Sequence, residues 1–290
     1  MKLPAFDYRA PTSVEEATAL LGAEGSDASV LAGGQSLLLD LRYERVRPGV
    51  LVDVNGLPGL AAIGDHAGSA EVGALVRHRA LESADCVPGP LGPLLAEAAP
   101  FVAHAPIRAR GTLVGSLCWA HPAAEWCAVA LLAEAEIVTS GPGGERVIGA
   151  AEWFLGERRT ARRPDELVLA VRLPPLPPGT GVAFAEHRRT HASFALVAVA
   201  ASVTLDAAGA VTEARISLAG AADRPLRATD AESALRGAAP TDQALRAAAE
   251  AAAVASDPAD EPHASAGYRR HVVRVLTKRA LGTATTRPER

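Results

Sequence analysis

The stretch "LAGGQSLLLDLR", residues 31–42, sets two adjacent glycines and a polar pair between two apolar runs. Val30 to Ala32 reads as a short buried strand, stopped by glycine. Adjacent glycines let successive main-chain N–H groups point the same way, so the turn can form a concave cluster of donors. The missing side chains also let a ligand approach the backbone, and Ser36 adds a hydroxyl. Such a turn suits a phosphate or pyrophosphate. It also serves as a plain connection, and the stretch alone does not separate the two readings. It is not G-x-G-x-x-G and no Walker lysine follows, which disfavours a Rossmann or P-loop site.

A second stretch bears on that choice. "IRARGTLVGSL", residues 107–117, is another glycine-spaced loop carrying a threonine and a serine, with a helix candidate after it. Two donor loops far apart in sequence can converge on one extended, multiply polar ligand such as a dinucleotide.

The rest of the chain is consistent with a soluble α+β protein. With 290 residues, 49% hydrophobic and 21% charged, it has material for two domains. A net charge of −4 gives no electrostatic case for nucleic acid or an anionic membrane. The N-terminal segment lacks the apolar core of a secretory signal, and no apolar run is long enough to span a bilayer. Cys86, Cys118 and Cys127 are odd in number and sparse, which suits a reducing cytoplasm rather than a disulfide framework.

Ser13-Val14-Glu15-Glu16 reads as a capping box opening a helix to about Gly22. "VLVDV" (50–54) reads as a strand, and residues 60–75 as a hairpin turning at Gly64-Asp65. Residues 78–102 are helical in pattern, broken by "VPGPLGP". Pro122 to Glu134 reads as a helix with proline in its first turn. "EIVTSGPGGERVIG" is a hairpin, and "DELVLAVRLP" a strand ending at proline. "PPLPPGTG" (174–181), with four prolines and two glycines, marks a domain boundary, giving domains 1–175 and 176–290. Beyond it, Ala195–Leu205 and Ala210–Leu218 are β-like. Helices are expected near Thr229–Leu235, Thr241–Ala253 and Ser265–Ala280.

Other candidate signals have plainer readings. His187 and His191 have metal-like spacing only if the segment is helical, and no third ligand is near. Cys118, His121 and Cys127 lack a fourth zinc ligand. Trp119, Trp126 and Trp153 read as core or interface anchors. Arg158, Arg159, Arg162 and Arg163 read as a solvated loop, and Asp40 and Asp53 as cap and turn residues.

At this point the residues resemble a known family. "LAGGQSLLLDLRYERVRPGVLVDVNGLPGL" and "IRARGTLVGSLCWAHPAAEWCAVALLAEAEI" are similar to two signatures of the FAD-binding subunit of the molybdenum hydroxylases, the group of carbon monoxide dehydrogenase and xanthine dehydrogenase. "FAEHRRTHASFALVAVAASVTLD" and "ASAGYRRHVVRVLTKRAL" resemble the start and last helix of its C-terminal domain. The resemblance implies a two-subdomain FAD-binding fold of the vanillyl-alcohol oxidase type, its subdomains split near residue 55, followed by a C-terminal α/β domain of sheet plus helices. It implies that Ala32, Gly33, Gly34, Gln35 and Ser36 hold the FAD pyrophosphate through main-chain N–H groups. Thr112, Leu113, Val114, Gly115 and Ser116 would form the facing loop. Glu125 would contact the cofactor, the Leu169 backbone would lie near the flavin ring, and Phe194 would pack beside it. No catalytic acid or base and no metal site is assigned, and the chain has no cysteine run for an iron–sulfur cluster of its own. The implied partners are a molybdopterin-binding large subunit and a 2Fe-2S small subunit, with electrons passing to an acceptor such as NAD.

The second loop departs from the family pattern. Val114 stands where the first of two glycines is expected, Ser116 and Ala109 replace asparagines, and Glu125 replaces aspartate. "RTHASF" lacks the Gly-Asp before its aromatic residue. A β-branched side chain at Val114 would resist positive φ and block close backbone approach. Two further readings follow. One is a stand-alone homologue in secondary metabolism that catalyses a non-redox cyclisation or rearrangement of a small-molecule substrate. The other is a non-catalytic flavin-binding scaffold.

Overall fold

The computed structural model describes residues 3–286. Its first sheet is parallel and three-stranded. β1 (Asp7–Arg9) leads into α1 (Val14–Glu24), then β2 (Ala28–Leu31), α2 (Leu37–Arg42) and β3 (Val50–Asp53), in the order β1-β3-β2. Ser13 caps α1 by accepting the Glu16 N–H at 3.1 Å. The reciprocal half of the capping box is shifted by one residue: Glu16 accepts from the Thr12 N–H at 2.7 Å. The helix runs past Gly22 to Glu24 and stops where Gly25 turns to φ +56.

The second sheet is antiparallel, in the order β4-β5-β10-β6-β7. β4 (Ile63–His66) and β5 (Ser69–Gly73) form its first hairpin. That hairpin turns at Ala67-Gly68, not at Gly64-Asp65. Both turn residues have positive φ (+52 and +86), the conformation whose twist matches the flanking strands. α3 (Leu91–Ala98) is the one α-helix in residues 78–102, because the prolines around Gly89 confine the rest to turns and short 3-10 segments. α4 (Ala105–Arg108), α5 (Leu113–Trp119) and α6 (Glu125–Leu132) follow. α6 starts three residues after the expected Pro122, since residues 121–124 form a turn in which Ala124 N–H reaches His121 O. β6 (Glu136–Gly141) and β7 (Gly144–Gly149) make the second hairpin; α7 (Ala150–Trp153) and the short strands β8 (Phe154–Gly156) and β9 (Arg159–Thr160) come next. β10 (Leu167–Leu173) closes the sheet between the hairpins.

The third sheet is antiparallel and four-stranded: β11 (Thr180–Arg188), β12 (Ala195–Leu205), β13 (Val211–Ala219) and β14 (Leu226–Arg227). β11 was missed in the sequence, where it abuts the proline-rich segment and ends in charged residues. α8 (Thr229–Leu235), α9 (Asp242–Ala255) and α10 (Ala266–Thr286) follow. β12 shows how the sheet joins two cores. Val197, Val199, Ala201 and Val203 face α9 and α10, while Ala198 and Ala200 face the cluster that holds α3, α5 and α6. A strand buried on both faces reads as a continuous apolar run, which is why it was legible.

Candidate cofactor site

The two glycine loops meet backbone to backbone. A Cβ on Gly33 would lie 2.5 Å from Arg110 O and 2.6 Å from Gly111 Cα, so only glycine permits the approach. Gly34 has a different constraint: φ +72, with Leu31 and Leu38 closing around it. Gln35 Nε2 braces the turn by donating to Gly33 O at 2.9 Å. Among the described residues no protein acceptor meets the main-chain N–H groups of Gly33, Gly34, Gln35 or Ser36. That row of free donors fits an anionic ligand.

A side-chain relay fastens the two loops together. Asn55, just beyond β3, donates Nδ2 to Ala32 O at 2.9 Å. Arg77 donates Nη2 to Asn55 Oδ1 at 2.7 Å and Nη1 to Arg110 O at 2.8 Å. Asp53 holds the far end, accepting from Asn55 N at 2.9 Å and from Tyr8 Oη at 2.5 Å. Asp53 is thus a turn residue, as expected, but Asn55, Arg77 and Tyr8 were not foreseen. Asn55 directly follows an expected strand and could have been flagged; nothing in the sequence marks Arg77.

The second loop is a helix cap. Thr112 Oγ1 accepts the Gly115 N–H at 3.0 Å and opens α5. A Cβ on Gly115 would sit 2.7 Å from that hydroxyl, which accounts for the glycine. Helix geometry leaves the N–H groups of Leu113 and Val114 without intrahelical acceptors. Val114 needs correction. It is helical, not left-handed, and its side chain is buried in the main core, so it neither strains the backbone nor blocks the approach. Ser116 is half-buried, and its carbonyl accepts from Ala120 N.

Beneath this loop lies a buried imidazole. A Cβ on Gly111 would meet His78 Nε2 at 2.6 Å. Burial lowers the His78 pKa to about 4, so the ring is neutral. Trp126 Nε1 donates to His78 Nδ1 at 2.8 Å. An indole only donates, which assigns the ring proton to Nε2.

The remaining candidates divide. Glu125 opens α6 and is buried; burial outweighs its own main-chain hydrogen bond and the Arg188 charge, raising its pKa to about 7. Phe194 is half exposed and stacks on His121 at 4.2 Å, which in turn stacks on Trp119 at 5.1 Å. Trp119 is no core anchor: its Nε1 donates to Asp40 at 3.0 Å and Arg158 covers its face at 4.3 Å. Trp126 and Trp153 are buried anchors. Asp40 is likewise not a cap. It is buried and accepts from Trp119, Arg158 and Arg45. The arginine run is not simply solvated either, since Arg158 is spent there and Arg162 binds the carbonyls of Arg163, Pro164 and Glu166. Leu169 sits in a bulge of β10, its carbonyl bound by Ala74 N at 2.8 Å, and β10 packs against α5, the helix that the second loop opens.

His187 lies in a strand, so its spacing to His191 does not make a helical pair; His187 contacts Tyr268 and His191 contacts Arg188. His121 Nδ1 accepts from Ala123 N and Cys127 donates to Ser116 O. Neither is directed at a common ligand.

Residues 4–176 match the FAD binding domain in molybdopterin dehydrogenase, and residues 182–284 match the CO dehydrogenase flavoprotein C-terminal domain. The chain is 40% identical to the 6-hydroxypseudooxynicotine dehydrogenase complex subunit alpha of Paenarthrobacter nicotinovorans, over 99% of this chain and 97% of that one. It is 37% identical to the carbon monoxide dehydrogenase medium chain of Hydrogenophaga pseudoflava, over 98% of each. A solved carbon monoxide dehydrogenase from the same organism superposes with a TM-score of 0.95 at 37% identity, covering 100% of both chains. Quinoline 2-oxidoreductase from Pseudomonas putida 86 superposes at 0.92 with 32% identity, covering 99% of each. The chain therefore belongs to the FAD-binding medium subunits of the molybdenum hydroxylases of carbon monoxide dehydrogenase and xanthine dehydrogenase type.

Proposed function

We propose that this chain holds FAD between its two glycine loops and relays electrons between an iron–sulfur partner and an acceptor such as NAD. The observation that carries the reading is the contact of Gly33 with Arg110 and Gly111, which sets two sets of main-chain donors against each other. In it, the N–H groups of residues 32–36 bind the pyrophosphate, and the start of α5, Thr112 to Ser116, faces them. Glu125 contacts the cofactor, and the Leu169 backbone and the Phe194 ring flank the flavin. The chemistry supplied by bound FAD is exchange between single-electron and paired-electron transfer; the chain's own residues bind, orient and tune.

The relatives named above are a complex subunit and a medium chain, which supports assembly with a molybdopterin-binding large subunit and a 2Fe-2S small subunit. The same reading gives residues 1–175 to cofactor binding and 176–290 to a companion domain. The three free cysteines suit work in the cytoplasm. Among the described residues no helix is long and apolar enough to cross a membrane. The stand-alone reading loses one of its two motives, because Val114 is an ordinary buried helix residue; the altered segment before Phe194 is the other.

The test is reduction. Purified chain reconstituted with FAD is mixed anaerobically with NADH, and bleaching of the flavin absorbance is followed. Bleaching supports the acceptor assignment. A bound flavin that dithionite reduces and NADH does not would exclude NAD.

A further inference from the structure

Three aromatic rings, from the end of α5 and the start of β12, pack as one nearly parallel group. Trp119 and His121 lie 5.1 Å apart with planes at 17°, His121 and Phe194 4.2 Å apart at 16°, and Trp119 and Phe194 5.7 Å apart at 30°. Phe194 therefore bears on both of the other rings. Local structure brings them together. Ala120 turns left-handed, φ +48, which ends α5 and sets His121 against Trp119. Pro122 O accepts from Gly220 N at 2.9 Å, tying that turn to the end of β13. Ala192 at φ +58 and the bond from Ser193 N to Thr190 O at 3.2 Å make the tight turn that delivers Phe194.

The group has one polar anchor. Asp40 of α2 is buried and accepts from Trp119 Nε1 at 3.0 Å, Arg158 Nη2 at 3.2 Å and Arg45 Nη1 at 3.3 Å. Arg158 also donates its main-chain N–H to Ala120 O at 3.0 Å and lays its guanidinium over the indole at 4.3 Å. An indole has a single donor, so the bond to Asp40 fixes which way its plane lies. Phe194 has no such handle. It is half exposed, and packing on Trp119 and His121 is what sets its plane. A carboxylate is expensive to bury, and an apolar side chain would fill the same place at less cost. What the carboxylate adds is direction.

We propose that Asp40 is a positioning residue for the cofactor: by fixing Trp119 it fixes His121 and Phe194, and the exposed side of Phe194 becomes a rigid shelf for the planar isoalloxazine ring. This rests on the reading of Phe194 as the ring that flanks the flavin. Burial, and then the Arg158 charge, lower the His121 pKa to about 4, so that ring packs in its neutral form near neutral pH. A shelf held in advance spares the cost of ordering side chains when the flavin arrives. α2 begins directly after the donors of residues 32–36, so one short helix joins the pyrophosphate end of the site to its ring end.

The experiment is a double-mutant cycle on the full chain reconstituted with FAD. Affinity is read by fluorescence titration, and the ring environment by circular dichroism in the flavin absorption bands. Phe194→Leu removes the shelf and lowers affinity about two- to tenfold, the worth of one offset-stacked aromatic pair. Asp40→Leu lowers it by a similar factor and alters the flavin dichroism in the same sense. Asp40→Asn, which keeps an acceptor for the indole, falls between wild type and Asp40→Leu. Asp40→Leu combined with Phe194→Leu binds no more weakly than Phe194→Leu alone, because Asp40 acts through that ring. Should Asp40→Leu fail to fold, Trp119→Leu takes its place in the cycle with the same expectation. Losses that add in the double variant, or wild-type affinity and dichroism in Asp40→Leu, overturn the proposal. A Phe194→Leu variant indistinguishable from wild type, or a chain that binds no FAD, sinks the placement of Phe194 against the flavin, and the shelf falls with it. The single Phe194→Leu variant tells the two failures apart.

Discussion

The two glycine loops look alike in sequence and are built on opposite principles. In residues 32–36 the glycines serve the backbone: Gly33 admits a neighbouring main chain and Gly34 supplies a left-handed turn. In residues 111–116 they serve side chains: Gly111 lies against the His78 ring and Gly115 against the Thr112 hydroxyl. A row of donors can be made either by bending the chain or by starting a helix, and this site pairs one of each.

The difference predicts a graded response to adding a methyl group. Gly33→Ala is the most damaging, because the obstacle is another loop's backbone and cannot rotate away. Overpacking of this kind costs about 1–3 kcal/mol or more, and separating the loops lowers FAD affinity at least tenfold, read by fluorescence titration. Gly34→Val comes next. A β-branched residue at φ +72 costs roughly 1–2 kcal/mol in backbone strain alone, and FAD retention on a desalting column falls with it. Unchanged retention in that variant would refute the pyrophosphate assignment.

Gly111→Ala is intermediate, since the added methyl meets the His78 ring at 2.6 Å and a side chain, though buried and bonded to Trp126, can rotate where a backbone cannot. Its thermal midpoint falls less than that of Gly33→Ala, and its tryptophan emission changes as the Trp126–His78 bond is disturbed. Thr112→Ala is the mildest. Loss of an N-cap costs about 1 kcal/mol in denaturant unfolding, with FAD affinity reduced less than in any glycine variant. A reversed order, with Thr112→Ala worst, would mean that the helix start and not the loop contact organises the site.

What the sequence revealed was mostly local. The strand-glycine turn at 32–36, the Ser13 cap and the 136–149 hairpin are written within a few residues of themselves. The Ala67-Gly68 turn was displaced because Gly64-Asp65 offers a competing signal a few residues away, and only the pairing of His66 with Ser69 decides between them. Asp40 reads in the sequence as a cap residue. Its burial follows from Trp119 and Arg158, which arrive from distant parts of the chain. The relay through Asn55 and Arg77 was hidden for the same reason. Val114 misled in the other direction: compared with a pattern it was an anomaly, yet a helix start accepts any side chain that has a core to enter.

The most direct test of the account is the absorbance spectrum of the purified full-length chain after incubation with FAD and removal of excess, with the released cofactor identified after denaturation. One FAD per chain, retained by wild type and lost from Gly33→Ala, is the predicted result. A colourless wild-type chain, or equal flavin content in the two proteins, would contradict the claim that the meeting of the two loops makes the site.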